Sequence, residues 1–226
     1  MRTLQIRLWP DKRATLAVVM SPGRPREFDT DQALDAAMRL FWQRGYRSTT
    51  TRDLVGALGL GQSSITSAFG TKADLADAAL ARYLAQLERE LVGPLRDATD
   101  GLAAIDRFLA DLTDWHLAEG GRGCLVGRLM CEGAQAEPRI AQRVAEYRVV
   151  LRRAIDAALE RAVEAGEIRA GGLVERRNLM IAVVLALNLA MQAGYEPDAA
   201  RALVRAGREQ VASWSERSGV LEAARH

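Results

Sequence analysis

Between Thr50 and Lys72 the chain concentrates side chains that suit one kind of chemistry, the noncovalent reading of a polyanion. Gln62, Ser63, Ser64, Thr66 and Ser67 crowd into one short segment, all uncharged and all able to donate or accept hydrogen bonds. On one face of a helix such groups can meet base edges in a major groove about 12 Å wide, and a glutamine on the first turn matches adenine N6 and N7 in bidentate fashion. Groups suited to phosphate flank the segment. Lys72 falls at the start of the next helical pattern, where unpaired N–H groups and the helix dipole also favour an anion. Thr50 and Thr51 place hydroxyls at another helix start, and Arg24 and Arg26, in Pro-Gly-Arg-Pro-Arg, form a stiff basic arm able to reach a neighbouring minor groove.

The elements that must carry these groups are legible from punctuation. Asp29 with Gln32 resembles a capping box, followed by Leu34, Ala37, Met38 and Phe41 at helical spacing, with Gly45 placed to close the helix in a left-handed conformation. Thr50 with Asp53 begins a second helix whose apolar face is Leu54, Val55 and Leu58. Gly59-Leu60-Gly61 makes a turn, and a third helix runs from Gln62 to Phe69. Two eight-residue helices joined by a three-residue glycine-containing turn are the helix-turn-helix pattern. Leu54, Leu58, Leu60, Ile65 and Phe69 can bury on one side while the polar set projects on the other. The plain alternative is a helical hairpin with a polar outer face, and each flanking cation taken singly is a surface charge.

Charge distribution supports the sharper reading. The chain of 226 residues carries +2 overall, but residues 1–72 hold eleven Lys/Arg against six Asp/Glu, while the remainder holds twenty against twenty-three. A basic N-terminal third on a slightly acidic body suits a polyanion-binding head. About half of the residues are apolar and aromatics are sparse, which favours helices. No segment alternates with period two, so the expected class is all-α. No Ser/His/Asp grouping, metal-ligand spacing or phosphate loop supports an enzyme, and no cofactor or metal is expected. A helical protein-interaction module that binds no nucleic acid remains the alternative from a different class.

Downstream, Thr71 with Asp74 starts a fourth helix expected to end at the Gly93-Pro94 break. Further helices follow over residues 102–117, 124–136, 138–165, 173–193 and 197–214. The stretch from Leu179 to Met191 is apolar nearly all round and must be covered on every side. A core would cover one side and a second copy of the chain the other, with Leu179, Val183, Leu187, Met191, Leu203, Gly207, Val211 and Trp214 as the expected contact; a core wholly within one chain is the alternative. A ligand pocket among the central helices would draw on Phe108, Leu112, Trp115, His116, Leu129, Met130, Tyr147, Leu151, Val184, Asn188 and Met191, most of which also read as ordinary core. His116, at the polar end of its helix, reads as a surface or cap residue.

Cys124 and Cys131 are too far apart on one helix to pair, which fits a reducing, cytoplasmic compartment. At a helix N-terminus Cys124 is a candidate redox thiol with lowered pKa; a small packed side chain is the competing reading. The apolar run from Ala14 to Met20 is too short and wrongly flanked for a signal peptide and reads as part of a disordered arm over residues 1–22, or as sequence preceding a start at Met20. No stretch reaches the ~20 apolar residues of a membrane span.

The runs GRPREF, ALDAAMRLFWQRGYRSTTTRDLVGALGL and SSITSAFGTKADL together resemble the N-terminal domain of the TetR family of transcriptional regulators, over residues 23 to about 84. The resemblance implies a three-helix DNA-binding head (residues 23–72) linked by a fourth helix to a helical-bundle body for effector binding and dimerisation (73–226). It implies double-stranded operator DNA, a second copy of the chain and a small-molecule effector as partners, with repression as the default outcome. By the same resemblance Gln62, Ser63, Ser64 and Ser67 lie where the family reads bases, and Thr50, Arg52, Thr66 and Lys72 where it holds phosphates. Two departures stand out: Thr66 replaces a tyrosine that grips the backbone, and Gly61 replaces a capping serine. The segment GCLVGRLMCE, from Gly123, resembles one in a branch some of whose members sense oxidants or electrophiles through the cysteine.

Overall fold

Capping chemistry sets where the helices of the head begin. In the computed structural model, which describes residues 28–118, 120–133 and 137–215, Asp29 accepts from the backbone N–H groups of Asp31 and Gln32 at 2.9 and 3.1 Å and opens α1 (Thr30–Arg44). Gln32 returns no bond, so the expected box is half-formed. Thr50 and Asp53 form a complete capping box at the start of α2 (Thr51–Leu58), and Thr71 and Asp74 do the same for α4 (Lys72–Leu87); between them lies α3 (Gln62–Phe69). Arg24, Arg26 and the expected arm fall outside the described residues.

The chain then continues through a π-helical turn (Glu88–Val92), α5 (Gly93–Asp97), α6 (Leu102–Ala118), α7 (Leu125–Cys131), α8 (Pro138–Glu164), α9 (Leu173–Gln192) and α10 (Pro197–Ser213). The described residues contain no strand, as an all-α class requires. None of their helices is long and apolar enough to cross a membrane.

Two expectations at glycines are corrected. Gly45 has positive φ (83°) but an extended ψ (167°), outside the left-handed helical well. Its role is close approach, because a Cβ there would fall 1.8 Å from Glu132 Oε1. Gly93-Pro94 does not break the helix. The π-helical turn lets the Gly93 N–H reach back to the Glu88 carbonyl, and this wider ring absorbs the proline, which lacks an N–H and would strike a regularly spaced carbonyl.

Helix α4 is the hinge of the layout, packed on α1 on one side and on α8 on the other. Arg82 on α4 binds Asp31 and Asp35 of α1, and Asp74 and Asp77 pair with Arg139 (3.1 Å) and Arg143 (Nη2, 2.8 Å) of α8. The core runs continuously from Ala37, Phe41 and Trp42 in the head through Leu80 and Tyr83 to Leu109, Leu125, Leu159 and Leu187 in the body.

Candidate nucleic-acid interface and cavity

The second of the two short helices stands almost free of the fold. Of α3, Ile65 alone is buried and Phe69 is half-buried against Phe28, with ring centroids 6.0 Å apart. Leu54 of α2 is buried, and Leu58 and Leu60 are partly so, which fixes the side on which α3 rests. Gly59 turns the chain with a left-handed conformation (φ 66°, ψ 20°). Gln62, Ser63, Ser64, Thr66 and Ser67 are all exposed, and none of their side chains bonds another described residue. Neutral hydrogen-bonding groups are thus held outward on a short rod, with no task among the described residues.

The flanking groups sort into free and engaged ones. Thr51 and Arg52 are exposed, and Arg52 makes no ion pair among the described residues. The Thr50 hydroxyl is committed to Asp53, donating to Oδ2 at 2.7 Å and accepting from the Asp53 backbone N–H at 3.2 Å; its donation, joined by that of the Thr50 backbone N–H to the same oxygen at 2.8 Å, holds the Asp53 carboxyl below its ordinary pKa. Lys72 is less free than a surface anchor. Its Nζ sits 4.5 Å from the centroid of Tyr46, whose hydroxyl donates to Glu137 Oε1 at 2.9 Å. Partial burial lowers the Lys72 pKa, opposed by the charges of Glu137 and Glu132. Arg47, exposed, without a bond among the described residues and three residues before the Thr50 cap, is a further candidate; it lies in a turn without periodicity, so no pattern marks it. Of the eleven basic residues in 1–72, six lie in 1–27, so much of the positive charge of the N-terminal third falls outside the described residues.

In the body, α7, α8 and α9 leave a cavity of about 120 Å³. Met130, Tyr147, Leu151, Val184 and Asn188 line it. Phe108, Leu112, Leu129 and Met191 do not; they are packed into the core. Trp115 stacks on Trp42 with centroids 5.4 Å apart and donates to Glu90 Oε2 at 2.8 Å, also away from the cavity. His116 is fully buried rather than a surface or cap residue, because one ring nitrogen reaches the Leu112 carbonyl (2.7 Å) and the other Asn188 Oδ1 (2.6 Å). Arg148, Arg152, Ile181 and Leu185 also line the cavity; the arginines were not foreseen because a cation on a helix surface reads as solvated.

Cys124 caps α7 and lies on the cavity wall, yet its environment opposes a reactive thiolate. Burial pushes the thiol pKa up, outweighing the N–H groups of Val126 and Gly127 and the facing Tyr83 hydroxyl, which favour the anion. The lowered pKa expected from its helix position is therefore corrected. That Tyr83 hydroxyl has no conventional hydrogen-bond partner, which leaves the weakly interacting sulfur as its neighbour.

Comparison with known proteins settles the family. Residues 33–79 match the family model for bacterial regulatory proteins of the tetR family, and residues 101–207 match that for the tetracyclin repressor-like C-terminal domain. The chain belongs to the TetR family. Its relatives include the HTH-type transcriptional repressor ComR of Escherichia coli (strain K12), 46% identical over 117 residues, which are 50% of this chain and 55% of ComR. The HTH-type transcriptional regulator YezE of Bacillus subtilis (strain 168) is 30% identical over 152 residues, covering 65% of this chain and 76% of YezE. The chain spans about half the length of ComR and of the related repressor BdcR (55% and 54%). Among solved structures, a cysteine mutant of the TetR family regulator CifR, complexed with 26bp double-strand operator DNA, superposes with a TM-score of 0.74 at 26% identity, covering 83% of this chain and 98% of CifR. A TetR family regulator from Agrobacterium tumefaciens shares the fold at 21% identity, with a TM-score of 0.71 over 80% of this chain and 95% of that one.

The exposed apolar face of this TetR-family body differs from the one expected. Leu187, Met191, Gly207 and Val211 are buried within the chain's own core, Val183, Leu203 and Trp214 are half-buried, and Leu179 is exposed. Gly207 lets α10 press on α9, since a Cβ there would meet Val183 Cγ1 at 2.9 Å. The outward stripe of α9 is Val174, Asn178, Leu185 and Leu189. A helix apolar on all sides gives no phase from which to choose its outward face.

Proposed function

We propose that the chain is a transcriptional regulator that binds operator DNA as a homodimer and is released when a small effector fills the body cavity. The observation that carries this is α3, with five exposed, uncharged, unengaged hydrogen-bonding side chains on eight residues. A nonspecific polyanion binder would use cations there; a base reader uses such groups. Gln62, Ser63, Ser64 and Ser67 would contact bases, and Thr51, Arg52, Thr66, Lys72, Arg24 and Arg26 the backbone or minor groove. The CifR complex with operator DNA supports the reading by homology.

Residues 23–72 would form the head and 73–226 the body, acting in the cytoplasm. Two heads about 34–36 Å apart would meet successive major grooves, and the outward stripe of α9 is the face offered for pairing. Effector occupancy between α7, α8 and α9 would move α8 and, through Asp74–Arg139 and Asp77–Arg143, the start of α4 beside the recognition helix. The buried, raised-pKa thiol of Cys124 gives the redox alternative no support.

Fluorescence anisotropy with duplex DNA from the promoter of the chain's own gene tests the reading. Tight, sequence-selective binding that weakens steeply with salt is expected. Indifference to every duplex at low ionic strength would overturn it.

A further inference from the structure

The cavity's wall indicates what class of effector it takes, and this inference rests on the effector reading above. The space, about 120 Å³, approaches the ~150 Å³ of cavities that hold a benzene molecule. Val126, Met130, Leu151, Ile181 and Val184 supply apolar walls. Such a volume takes a single ring or a short branched chain.

Charge at the wall is one-sided. Arg148 and Arg152, one turn apart on α8, both line the cavity and both are exposed, whereas no lining residue is acidic. Neither guanidinium has an ion pair or hydrogen bond among the described residues. On the same helix Arg139 and Arg143 pair with Asp74 and Asp77, and Arg161 donates to the carbonyls of Leu95, Arg96 and Asp100. Most of the arginines among the described residues are bonded internally, and Arg153, which on α8 also lacks a bond among them, does not line the cavity; Arg148 and Arg152 are the unspent planar donors that flank the apolar hole. A guanidinium fork suits a carboxylate, which it can bind through two parallel hydrogen bonds. Asn188 adds a neutral polar contact, since His116 holds only one of its amide atoms.

We infer that the effector is a small organic anion, a benzene-sized apolar body bearing one carboxylate. The body occupies the space between Val184 and Leu151, and the carboxylate meets Arg148 and Arg152 at the rim. Charge-assisted bonds there discriminate against the uncharged analogue, although their exposure makes the preference fall with salt.

Isothermal titration of the full chain with sodium benzoate, benzamide and benzyl alcohol tests this at low ionic strength. Benzoate should bind about tenfold more tightly than either uncharged probe, the ratio that one charge-assisted bond supplies. The double substitution Arg148→Gln/Arg152→Gln should bring the three within about twofold of one another by removing both partners of the charge. Val184→Trp should fill the cavity and remove binding of all three; Ile181→Trp, at the half-exposed edge, serves if that variant fails to fold. Equal affinity for charged and uncharged probes, a preference that survives the double substitution, or no binding of any probe would overturn the inference. Operator anisotropy on the same samples separates the two readings: benzoate bound without operator release refutes the effector gating and leaves the anion class standing.

Discussion

The indole Nε1 of Trp42 donates to the carbonyl oxygen of Gly123 across 2.7 Å, joining the last turn of α1 to the residue before Cys124. Both ends are buried. Trp42 also packs edge-on to Tyr83 of α4, with centroids 5.0 Å apart, and stacks on Trp115 of α6. Gly123 in turn lies against α9, where a Cβ would stand 2.8 Å from the Asn188 carbonyl oxygen and from Gln192 Cγ. One hydrogen bond therefore separates the head from the wall of the cavity.

Trp42→Phe keeps a stacked ring and deletes this donor. The Gly123 carbonyl then stays buried and unpaired, which costs about 1–3 kcal/mol. Denaturant titration should show the midpoint falling with an unchanged slope. An unaltered midpoint would mean that the bond contributes nothing.

At the recognition helix the two kinds of contact separate by salt. Arg52→Ala should weaken binding to all duplexes and reduce the slope of log affinity against log salt by about 0.9. Gln62→Ala should leave the slope alone and lower the preference for the operator over unrelated duplex, by about 1–3 kcal/mol if the contact is bidentate. Equal, sequence-independent losses from both would contradict these roles.

Alkaline pH should destabilise the fold. The Tyr46 hydroxyl, partly buried and donating to Glu137, has its pKa pushed from 10.0 up to about 12, and burial raises those of Tyr83 and Tyr147 as well. The folded state favours the neutral phenols, so their stabilisation is whole below pH 10 and is lost as pH rises through the folded values. Urea midpoints measured from pH 9 to 12 should fall, and Tyr46→Phe should make the fall shallower. Identical slopes would exclude Tyr46 as a contributor.

His116 carries the opposite sign. Burial lowers its pKa from 6.5 despite the bonds to Leu112 and Asn188. The neutral ring's contribution is present above pH 6.5 and is lost as pH falls through the depressed value. His116→Gln, which cannot titrate, should flatten the drop in melting temperature between pH 7 and 5; a wild-type curve already flat there would refute it.

Leu189, 61% exposed on the outward stripe of α9, tests the pairing face. Leu189→Arg should yield a monomer in sedimentation velocity without lowering the melting temperature of the isolated subunit, and should weaken operator binding. A dimer that persists unchanged would place the pairing face elsewhere.

The sequence by itself determined the local order of this protein. Thr50 and Asp53, Thr71 and Asp74, and the glycine at 59 act on their immediate neighbours, so the bounds of α2, α3 and the start of α4 could be read directly, and with them the polar set on α3. Gly93 and Pro94 misled because a π-helical turn can absorb a proline, and whether it does depends on what packs around α4 and α5. The tertiary structure alone decided which apolar residues face outward, because α9 from Leu179 to Met191 is apolar nearly all round and the phase comes from its neighbours: Gly207 draws α10 onto Val183 and leaves Leu185 and Leu189 outside. It also decided that Lys72 rests on Tyr46 beside Glu137, that His116 is interior, and that Arg148 and Arg152 edge a cavity. Each of these depends on residues distant in the chain brought together by packing, and periodicity carries no record of distance in space.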